Sequence, residues 1–342
     1  MPHQDLRPPD ECEFAILGAG ALGSILAAHL ARAGHAVTVL ARGARAAAVQ
    51  QVGLRICGLA DFATPVHVLS EPRQLRRAQV LIVATKTPGT AEALQQLRHV
   101  ELDMALSVQN GVLKDELLAE TFDRSHVLGA AADLSGELLA GGDVLFTRNI
   151  NLLLGELSGP ITPRAHQLAA RLTAAGIRAT AVPDILSIEW SKFVVWVGLV
   201  IVSVLTRALT AQYLSDAGCA KVLVQLAREM GQLAKARGIP LTDDGVLPAA
   251  TLAYGADDVA LKAVLATGQR YTVQAPGHRM SSLQDVEAAR PLEIHETLGH
   301  ALEMARAQAL TTPLLETGYA LTSLLDRVRA LPSSTGSGLS HS

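Results

Sequence analysis

Apolar and polar segments alternate through the first half of the chain in the way that the strands and helices of a parallel sheet require. An apolar run at residues 14–17 precedes a glycine-rich turn, a helix-forming segment at 21–33, Gly34 and a β-branched run at 35–40. A strand, a helix and a second strand in this order predict parallel pairing with a right-handed crossover.

The same alternation continues as far as Pro183, and a different pattern follows it. Before Pro183 we predict strands at 78–86, 104–111, 126–136 and 150–157, and helices at 90–100, 112–122 and 160–177. After Pro183 the chain predicts helices at 185–213, 217–237, 245–268, 292–309 and 312–330, with little strand signal. The predicted fold class is therefore α/β, an N-terminal doubly wound parallel sheet with a C-terminal all-helical domain.

These patterns divide the chain into four parts. A polar lead-in occupies 1–12, the sheet domain 13–183 and the helical domain 184–330, and the small polar residues of 331–342 predict a disordered tail. The most hydrophobic segment, 192–205, begins with Lys192 and is otherwise uncharged. It is shorter than the roughly 20 apolar residues that a membrane span needs.

Composition narrows the classes of function. The chain of 342 residues is 49% hydrophobic and 18% charged, which is enough to bury the cores of two domains. A net charge of -3 and an aromatic content of 3% give no basis for binding nucleic acid or an anionic membrane. Cys12, Cys57 and Cys219 lack the spacing of a metal site or redox pair, and no secretory signal opens the chain. We expect a soluble cytoplasmic protein.

The glycine turn has the pattern G-x-G-x-x-G, in Gly18-Ala19-Gly20-Ala21-Leu22-Gly23. The pattern alone is weak, but here it stands between an apolar strand and a helix, where dinucleotide sites need it. Gly18 would allow the tight turn, Gly20 the approach of a pyrophosphate, and Gly23 the packing of the helix. A glycine turn without a ligand is the alternative.

The residues after the second predicted strand indicate which dinucleotide binds. An NAD site usually places an acidic residue there for the ribose hydroxyl, whereas this chain has Arg42 and no acid nearby. A guanidinium can pair with a 2′-phosphate, so NADPH/NADP is favoured over NAD. A solvent-facing arginine is the alternative.

Lys86 and Asn110 end two further predicted strands, and ligands of such sheets sit beyond these carboxyl ends. Together they predict contacts to the nicotinamide side of a cofactor, although each could be an ordinary solvated residue. Lys192 stands beside Trp196 and Val200 at helical spacing. Apolar surroundings would lower the pKa of this lysine and suit it to donate a proton. The alternative is a structural role as a cap at a solvated helix end.

Three further features of the helical half leave alternatives open. Glu293 could orient the lysine or a substrate hydroxyl, or be an acidic first-turn residue after Pro291. Ser281 and Ser282 could hold a carboxylate or cap the next helix. His295 and His300 nearly complete a zinc-protease motif, but they are five positions apart instead of four, so we expect no metal site.

These features together resemble the ketopantoate reductase (2-dehydropantoate 2-reductase) family over nearly the whole chain, from Ala15 to about Leu325. The motifs that carry the resemblance are GAGALG at 18–23, Lys86, QNG at 109–111, SK at 191–192, SSLQD at 281–285 and EIH at 293–295. The last two lie outside the nucleotide-binding part and are the more discriminating.

The resemblance implies that a Rossmann-type domain binds NADPH and that a 2-oxo acid is reduced to a 2-hydroxy acid. It implies that Lys192 is the general acid, that Ser281 binds the substrate, and that Glu293 helps hold cofactor and substrate together. By the same resemblance Asn110 contacts both cofactor and substrate.

The resemblance also assigns the cofactor contacts of the sheet domain. Besides the glycine turn, Arg42 and Lys86 match positions that bind NADP, and the loop ending in Ser135 would approach the cofactor.

The chain departs from the family where the substrate would bind. Trp196 and Val200 stand where the family has asparagines, and Thr210 stands in place of a third. Exchanging amides for an indole and an isopropyl group removes hydrogen-bonding groups and adds apolar area, worth on the order of 1.5–3 kcal/mol per buried side chain.

We therefore expect a reductase with a more apolar pocket, for a 2-oxo acid or a related carbonyl or imine. Authentic 2-dehydropantoate 2-reductase is one alternative, and a non-catalytic NADP(H)-binding sensor or scaffold is another. The expected partner is a small-molecule substrate, with no nucleic acid or membrane, and a homodimer is left open.

Overall fold

The structure, a computed structural model, describes residues 10–330. Most of the predicted lead-in and the whole predicted tail at 331–342 lie outside the described residues. The chain divides into two compact units, Met1–Glu189 and Trp190–Ser342, and each unit is described by itself below.

The first unit contains both strands and helices. Its strands are β1 Glu11–Leu17, β2 Val37–Leu40, β3 Leu54–Gly58, β4 Phe62–Thr64, β5 His67–Leu69, β6 Arg77–Val83, β7 Glu101–Ser107, β8 Leu128–Leu138, β9 Val144–Glu156 and β10 Ala179–Ala181. Its helices are α1 Ala21–Arg32, α2 Gly43–Val52, α3 Thr90–Gln95, α4 Leu113–Phe122 and α5 Pro163–Ala174, with 3₁₀ turns at Pro72–Gln74 and Arg124–His126.

Five strands form a wholly parallel sheet in the order β5-β2-β1-β6-β7. Both of its faces are buried: Phe14 and Ile16 of β1 belong to one apolar cluster, and Ala15 and Leu17 belong to another. Burial on both faces explains why the strands read as continuous apolar runs. The strand order reverses between β1 and β6, so ligands are expected beside the carboxyl ends of these two strands. The predicted α/β fold class is confirmed.

A second sheet was not predicted. It has the order β10-β9-β3-β4, and β8 pairs with β9 along its whole length. β8 and β9 are antiparallel, whereas β9 is parallel to β3 and β10. α1 packs on this sheet so closely that a side chain at Gly136 would lie 2.5 Å from Ile25 Cδ1.

The second unit is helical, as predicted. Its helices are α6 Ile185–Thr206, which begins in the first unit, α7 Thr210–Ser215, α8 Ala217–Ala236, α9 Ala249–Tyr254, α10 Asp257–Gln274, α11 Ser281–Glu287, α12 His300–Ala307 and α13 Pro313–Ala330, with a π-helical turn at His295–Gly299. Glycines allow close packing: a Cβ added at Gly318 would lie 2.5 Å from Ile201 Cδ1, so α13 rests directly on α6.

Two long predicted helices are each divided. The segment predicted at 185–213 breaks after α6, where Arg207 has a φ of 56° and Leu209 is extended. The segment predicted at 245–268 begins only after Pro248 and breaks at Gly255, whose carbonyl accepts a hydrogen bond from Arg228. The first boundary is thus a change of backbone conformation, and the second coincides with a side-chain contact that is distant in sequence.

α6 contains the most hydrophobic segment of the chain, 192–205, and is longer than it. With 22 residues it is, by length and composition, long and apolar enough to cross a membrane, because apolar residues before Lys192 add to the segment 192–205, which is too short by itself. In its most apolar window, 83% of the residues are buried inside the structure. A single helix that is mostly buried in this way is weak evidence for a membrane span.

Candidate active site

The glycine turn lies at the reversal of the strand order. Gly18 N donates to Leu40 O at 2.9 Å, and Ala84 N donates to Leu17 O at 2.9 Å, which fixes the turn between β2 and β6. Gly20 is the N-cap of α1, and no side chain caps this helix end. The first N–H groups of α1 therefore lack a side-chain cap, as phosphate binding at a helix N-terminus requires.

Glycine is favoured at each of the three positions of the turn for a different physical reason. Gly18 has a φ of 107°, and a Cβ there would lie 2.9 Å from Thr85 N. A Cβ at Gly23 would lie 2.0 Å from Gly18 O, so only glycine fits. At Gly20 an added Cβ would meet no atom within 4 Å, so this exposed position is open for a ligand. The turn fits the pyrophosphate of a dinucleotide.

Lys86 and Asn110 follow the ends of neighbouring parallel strands. β6 ends at Val83 and β7 at Ser107, so both strands are shorter than predicted, because the chain turns after each of them to form polar contacts. Lys86 is exposed and Asn110 is half-buried, next to Gly111 with a φ of 84°.

Gln109 joins these two strand ends, and the prediction from sequence missed it. Its Nε2 lies 3.1 Å from Thr85 O, 3.2 Å from Lys86 O and 2.7 Å from Thr90 Oγ1, and its Oε1 accepts from Ser107 Oγ at 3.0 Å. Gln109 is only 8% exposed. A buried amide in the QNG motif was the available signal, and it holds the backbone beside Lys86 and Asn110.

The two arginines after β2 have different surroundings. Arg42 is exposed, stands at the N-cap of α2 and donates to Gln96 Oε1 at 2.9 Å. Arg45 is half-buried and donates to Ala19 O and Gly142 O. Burial lowers the pKa of Arg45, and nearby Asp143 counteracts this effect. Arg42 is therefore the arginine that remains accessible.

Ser135 lies within a strand, in agreement with the strand predicted at 126–136, and not at the end of the loop that the resemblance implied. It belongs to β8, is exposed, and pairs with Arg148 beside an irregularity in the register with β9. The pairing of β8 with β9 accounts for this position. Its proposed contact with the cofactor stays a prediction.

In the second unit, the predicted residues of α6 lie along an aromatic and apolar helix. Lys192 is half-buried, Trp196 is 8% exposed and Val200 is 1% exposed. Trp196 stacks on Phe193 with ring centroids 6.4 Å apart, and Phe193 meets Trp190 edge-on. The apolar surroundings expected of this helix segment are present.

The hydroxyl of Thr210 is occupied inside the second unit. Thr210 Oγ1 lies 2.8 Å from His278 Nδ1 and accepts from Tyr213 OH at 3.3 Å, and the residue is 2% exposed. Burial raises the pKa of Tyr213 to about 12, and the hydrogen bond with Thr210 counteracts part of that effect.

The two serines of the SSLQD motif point to different uses. Ser281 is exposed at the first residue of α11, whereas Ser282 is buried with its hydroxyl 3.5 Å from that of Ser203. The N-cap of α11 is Met280, and this described helix has no side-chain cap. Capping of α11 by either serine, one of the two alternatives, is therefore wrong.

Glu293 precedes an unusual helical turn. The predicted helix at 292–309 instead begins as a π turn, in which Gly299 N donates to Ile294 O at 2.9 Å and Thr297 Oγ1 donates to Glu293 O. Glu293 is thus half-buried in the bend before the helix, not in its first α-helical turn. π turns of this kind are frequent at functional sites.

His295 and His300 flank this π turn. His295 Nδ1 lies 2.8 Å from Tyr319 OH, and His300 is half-buried. Within residues 10–330, no group of three or more His, Cys, Asp or Glu side chains could hold a metal ion.

A buried charge cluster supports the first unit. Lys114 Nζ contacts Glu189 Oε1 at 2.5 Å and Asp115 Oδ1 at 3.5 Å, and donates to Ser107 O and Ala130 O. Burial alone would lower the pKa of Lys114, but the two carboxylates raise it. Burial and the charge of Glu189 raise the pKa of Asp115 well above its ordinary value. The cluster fixes the end of β7, next to Gln109 and Asn110.

Comparison with known proteins agrees with this geometry in both units. The family model described as ketopantoate reductase PanE/ApbA matches residues 14–159, and its C-terminal counterpart matches residues 184–326. The chain belongs to the ketopantoate reductase family. It is therefore an oxidoreductase of the class that interconverts CH–OH and C=O groups, and its family binds a nicotinamide cofactor.

Individual ketopantoate reductases are similar over the full length. The 2-dehydropantoate 2-reductase of Nostoc sp. is 26% identical over 93% of this chain and 96% of its own. The crystal structure of 2-dehydropantoate 2-reductase from Methylococcus capsulatus has a TM-score of 0.75 at 26% identity, covering 94% of this chain and 98% of its own. D-mandelate dehydrogenase with NADH and anilino(oxo)acetate has a TM-score of 0.80 at 17% identity, covering 93% and 99%, and shares the fold.

Proposed function

We propose that this protein is an NADPH-dependent reductase that converts a 2-oxo acid, or a related carbonyl or imine, to the reduced product in a more apolar pocket than its relatives have. The main support is the combination at the glycine turn: Gly20 opens to a ligand, and the exposed Arg42 follows β2 where an acid would favour NAD. A cytoplasmic location fits the composition and the burial of α6.

The residues of the first unit would bind and orient the cofactor. The N–H groups at the start of α1 would hold its phosphates, and Arg42 would pair with the 2′-phosphate. Lys86 and Asn110 would contact the nicotinamide side, with Ser135 nearby. When bound, the cofactor supplies the hydride that the carbonyl carbon receives.

The residues of the second unit would bind and protonate the substrate. Lys192 would give a proton from Nζ to the carbonyl oxygen, so that the oxygen ends as a hydroxyl and the amine takes its next proton from water. Ser281 would hydrogen-bond the substrate, and Glu293 would hold cofactor and substrate in place. These roles follow the family motifs and are proposals for this chain.

The substrate is proposed to be bulkier or more apolar than ketopantoate. Trp196 and Val200 replace amides and lie in apolar surroundings, and the hydroxyl of Thr210 is already used by His278 and Tyr213. Three hydrogen-bonding positions are thereby lost. This loss weakens the binding of a polar substrate more than that of an apolar one.

The test is NADPH oxidation with ketopantoate and with a panel of branched, aromatic and cyclic 2-oxo acids and imines. We expect a higher kcat/KM for an apolar member of the panel. Efficient turnover of ketopantoate at micromolar KM would instead establish an authentic 2-dehydropantoate 2-reductase. NADPH binding with no turnover of any carbonyl or imine would favour a non-catalytic sensor or scaffold.

A homodimer stays a prediction. The molar mass in solution, measured by light scattering, tests it.

A further inference from the structure

Arg45 is hydrogen-bonded to the glycine turn and to the helix that follows it. Its Nε donates to Ala19 O at 3.0 Å, and one terminal nitrogen donates to Ser24 Oγ at 3.0 Å. Ser24 Oγ in turn donates to Ala19 O at 3.1 Å, and Ser24 is fully buried. The carbonyl of Ala19 therefore accepts two hydrogen bonds from the same side.

A carbonyl held in this way determines the direction of the next N–H group. The peptide unit is planar and trans, so the N–H of Gly20 points opposite to the C=O of Ala19. Gly20 is exposed, and an added Cβ there would meet no atom within 4 Å. Arg45 and Ser24 thus turn this N–H away from themselves, at the point where the helix N-terminus is open.

Arg45 also reaches a separate part of the first unit. Its other terminal nitrogen donates at 2.8 Å to the carbonyl of Gly142, in the turn between β8 and β9. Gly142 has a φ of 91°, as this tight turn requires. One guanidinium therefore joins α2, the glycine turn and the β8–β9 turn, which a flexible ammonium could not do.

We infer that Arg45 is a positioning residue of the dinucleotide site: it orients the Gly20 N–H toward the phosphates without touching the ligand, and it leaves Arg42 to recognise the 2′-phosphate. This inference rests on the proposed function. Each of the three nitrogens of Arg45 already donates to an acceptor of the protein, whereas Arg42 is exposed. The two arginines, three residues apart, therefore have separate roles.

The pyrophosphate is common to NADPH and NADH, but the 2′-phosphate is not, and this difference separates the two roles. We expect Arg45→Met to weaken binding of both dinucleotides by a similar factor, about tenfold, because a charged hydrogen-bond donor to the turn is lost. Arg45→Lys should weaken both nearly as much, since it keeps the charge but loses the planar fork. Arg42→Gln should weaken NADPH only.

Dissociation constants measured by nicotinamide fluorescence provide the test. The inference is overturned if Arg45→Met weakens NADPH alone, which would make Arg45 a phosphate ligand, or if it changes neither constant. Full recovery by Arg45→Lys would also overturn it, because charge alone would then suffice. If Arg45→Met does not fold, Ser24→Ala removes the second hydrogen bond to Ala19 O, and a common loss of about threefold for both dinucleotides is expected.

Failure of the proposed function gives a different result. If the parent protein binds neither dinucleotide, the cofactor proposal fails whatever Arg45 does. Amide hydrogen exchange in residues 18–24 then tests the positioning by itself. Faster exchange there in Arg45→Met than in Arg42→Gln supports the conclusion that Arg45 fixes the backbone of the glycine turn. Equal exchange in the two variants contradicts it.

Discussion

Lys114 Nζ lies 2.5 Å from Glu189 Oε1, and both side chains are only 3% exposed. Seventy-five residues separate them, and the contact joins the start of α4 to the first turns of α6. Glu189 Oε1 also accepts from Ala130 N at 2.7 Å, so one oxygen holds a helix, a strand and a lysine together. Glu189 stands three residues before Lys192, the proposed general acid.

Breaking this buried pair from one side should destabilise the protein strongly. Lys114→Met leaves the carboxylate of Glu189 without its cation, and we expect a loss of about 3–5 kcal/mol in the free energy of unfolding. Lys114→Met combined with Glu189→Gln should lose less than the sum of the single changes. Urea unfolding measures both, and Lys262→Met, in an exposed pair with Asp258, serves as the control with an expected change below about 0.5 kcal/mol.

Asp115 gives the same cluster a pH dependence of defined sign. Its raised pKa means that the folded state holds a proton that the unfolded state has released, so stability falls as pH rises. This contribution is fully present below the ordinary pKa of 3.8 and is lost as pH rises through the folded value. Because Glu156 has a lowered pKa, from its hydrogen bond with Arg164, its own contribution has the opposite sign.

The parent must therefore be compared with Asp115→Asn across the pH range. We expect the difference in unfolding free energy between the two proteins to favour the parent most at low pH and to shrink as pH rises. A difference that is constant with pH would contradict the raised pKa. Thermal unfolding at matched ionic strength provides the measurement.

Two glycines of the turn allow a matched pair of substitutions. Gly23→Ala places a methyl group 2.0 Å from Gly18 O, so we expect a loss of about 2–3 kcal/mol in stability together with loss of dinucleotide binding. Gly20→Ala meets no atom within 4 Å and should leave the melting temperature nearly unchanged. It should still weaken NADPH binding, because the methyl group occupies the approach of the pyrophosphate. Equal melting temperatures for the two variants would refute this assignment.

Sequence reasoning predicted the parallel sheet because its strands are buried on both faces, which makes them apolar throughout. It did not predict β4, β5 or β10, since strands of three residues carry too little pattern. α2 was also missed, because its alanines do not distinguish a helix from a loop. β3 was missed because its apolar residues are isolated and do not form a continuous run.

The residues of the candidate site also differ in whether the sequence could predict them. The glycine turn, Lys86 and Asn110 could be predicted because they stand at strand ends, whose place in a parallel sheet is known. Arg45 and the Lys114–Glu189 pair could not, because each acts through contacts that only the folded chain creates. Residues that act by positioning other residues do not follow a recognisable motif spacing in the sequence.

Glu229 stabilises the start of the last helix of the second unit. Its two carboxylate oxygens accept from Leu314 N and Leu315 N, each at 2.9 Å, in the first turn of α13. Glu229→Ala leaves two helix N–H groups unpaired, and we expect a loss of about 2 kcal/mol in unfolding free energy. The exposed Glu316 of the same turn is the control, and Glu316→Ala should change stability by less than about 0.5 kcal/mol.

The proposed proton donor can be tested apart from cofactor binding. Lys192→Ala should bind NADPH with an unchanged dissociation constant but lower kcat by about 10²–10⁴, because the carbonyl oxygen loses its general acid. Lys221→Ala, which removes an exposed lysine of α8, controls for the loss of one positive charge and should retain full activity. Full activity in Lys192→Ala would remove this lysine from the mechanism. A loss of NADPH binding instead of turnover would make Lys192 a cofactor ligand rather than an acid.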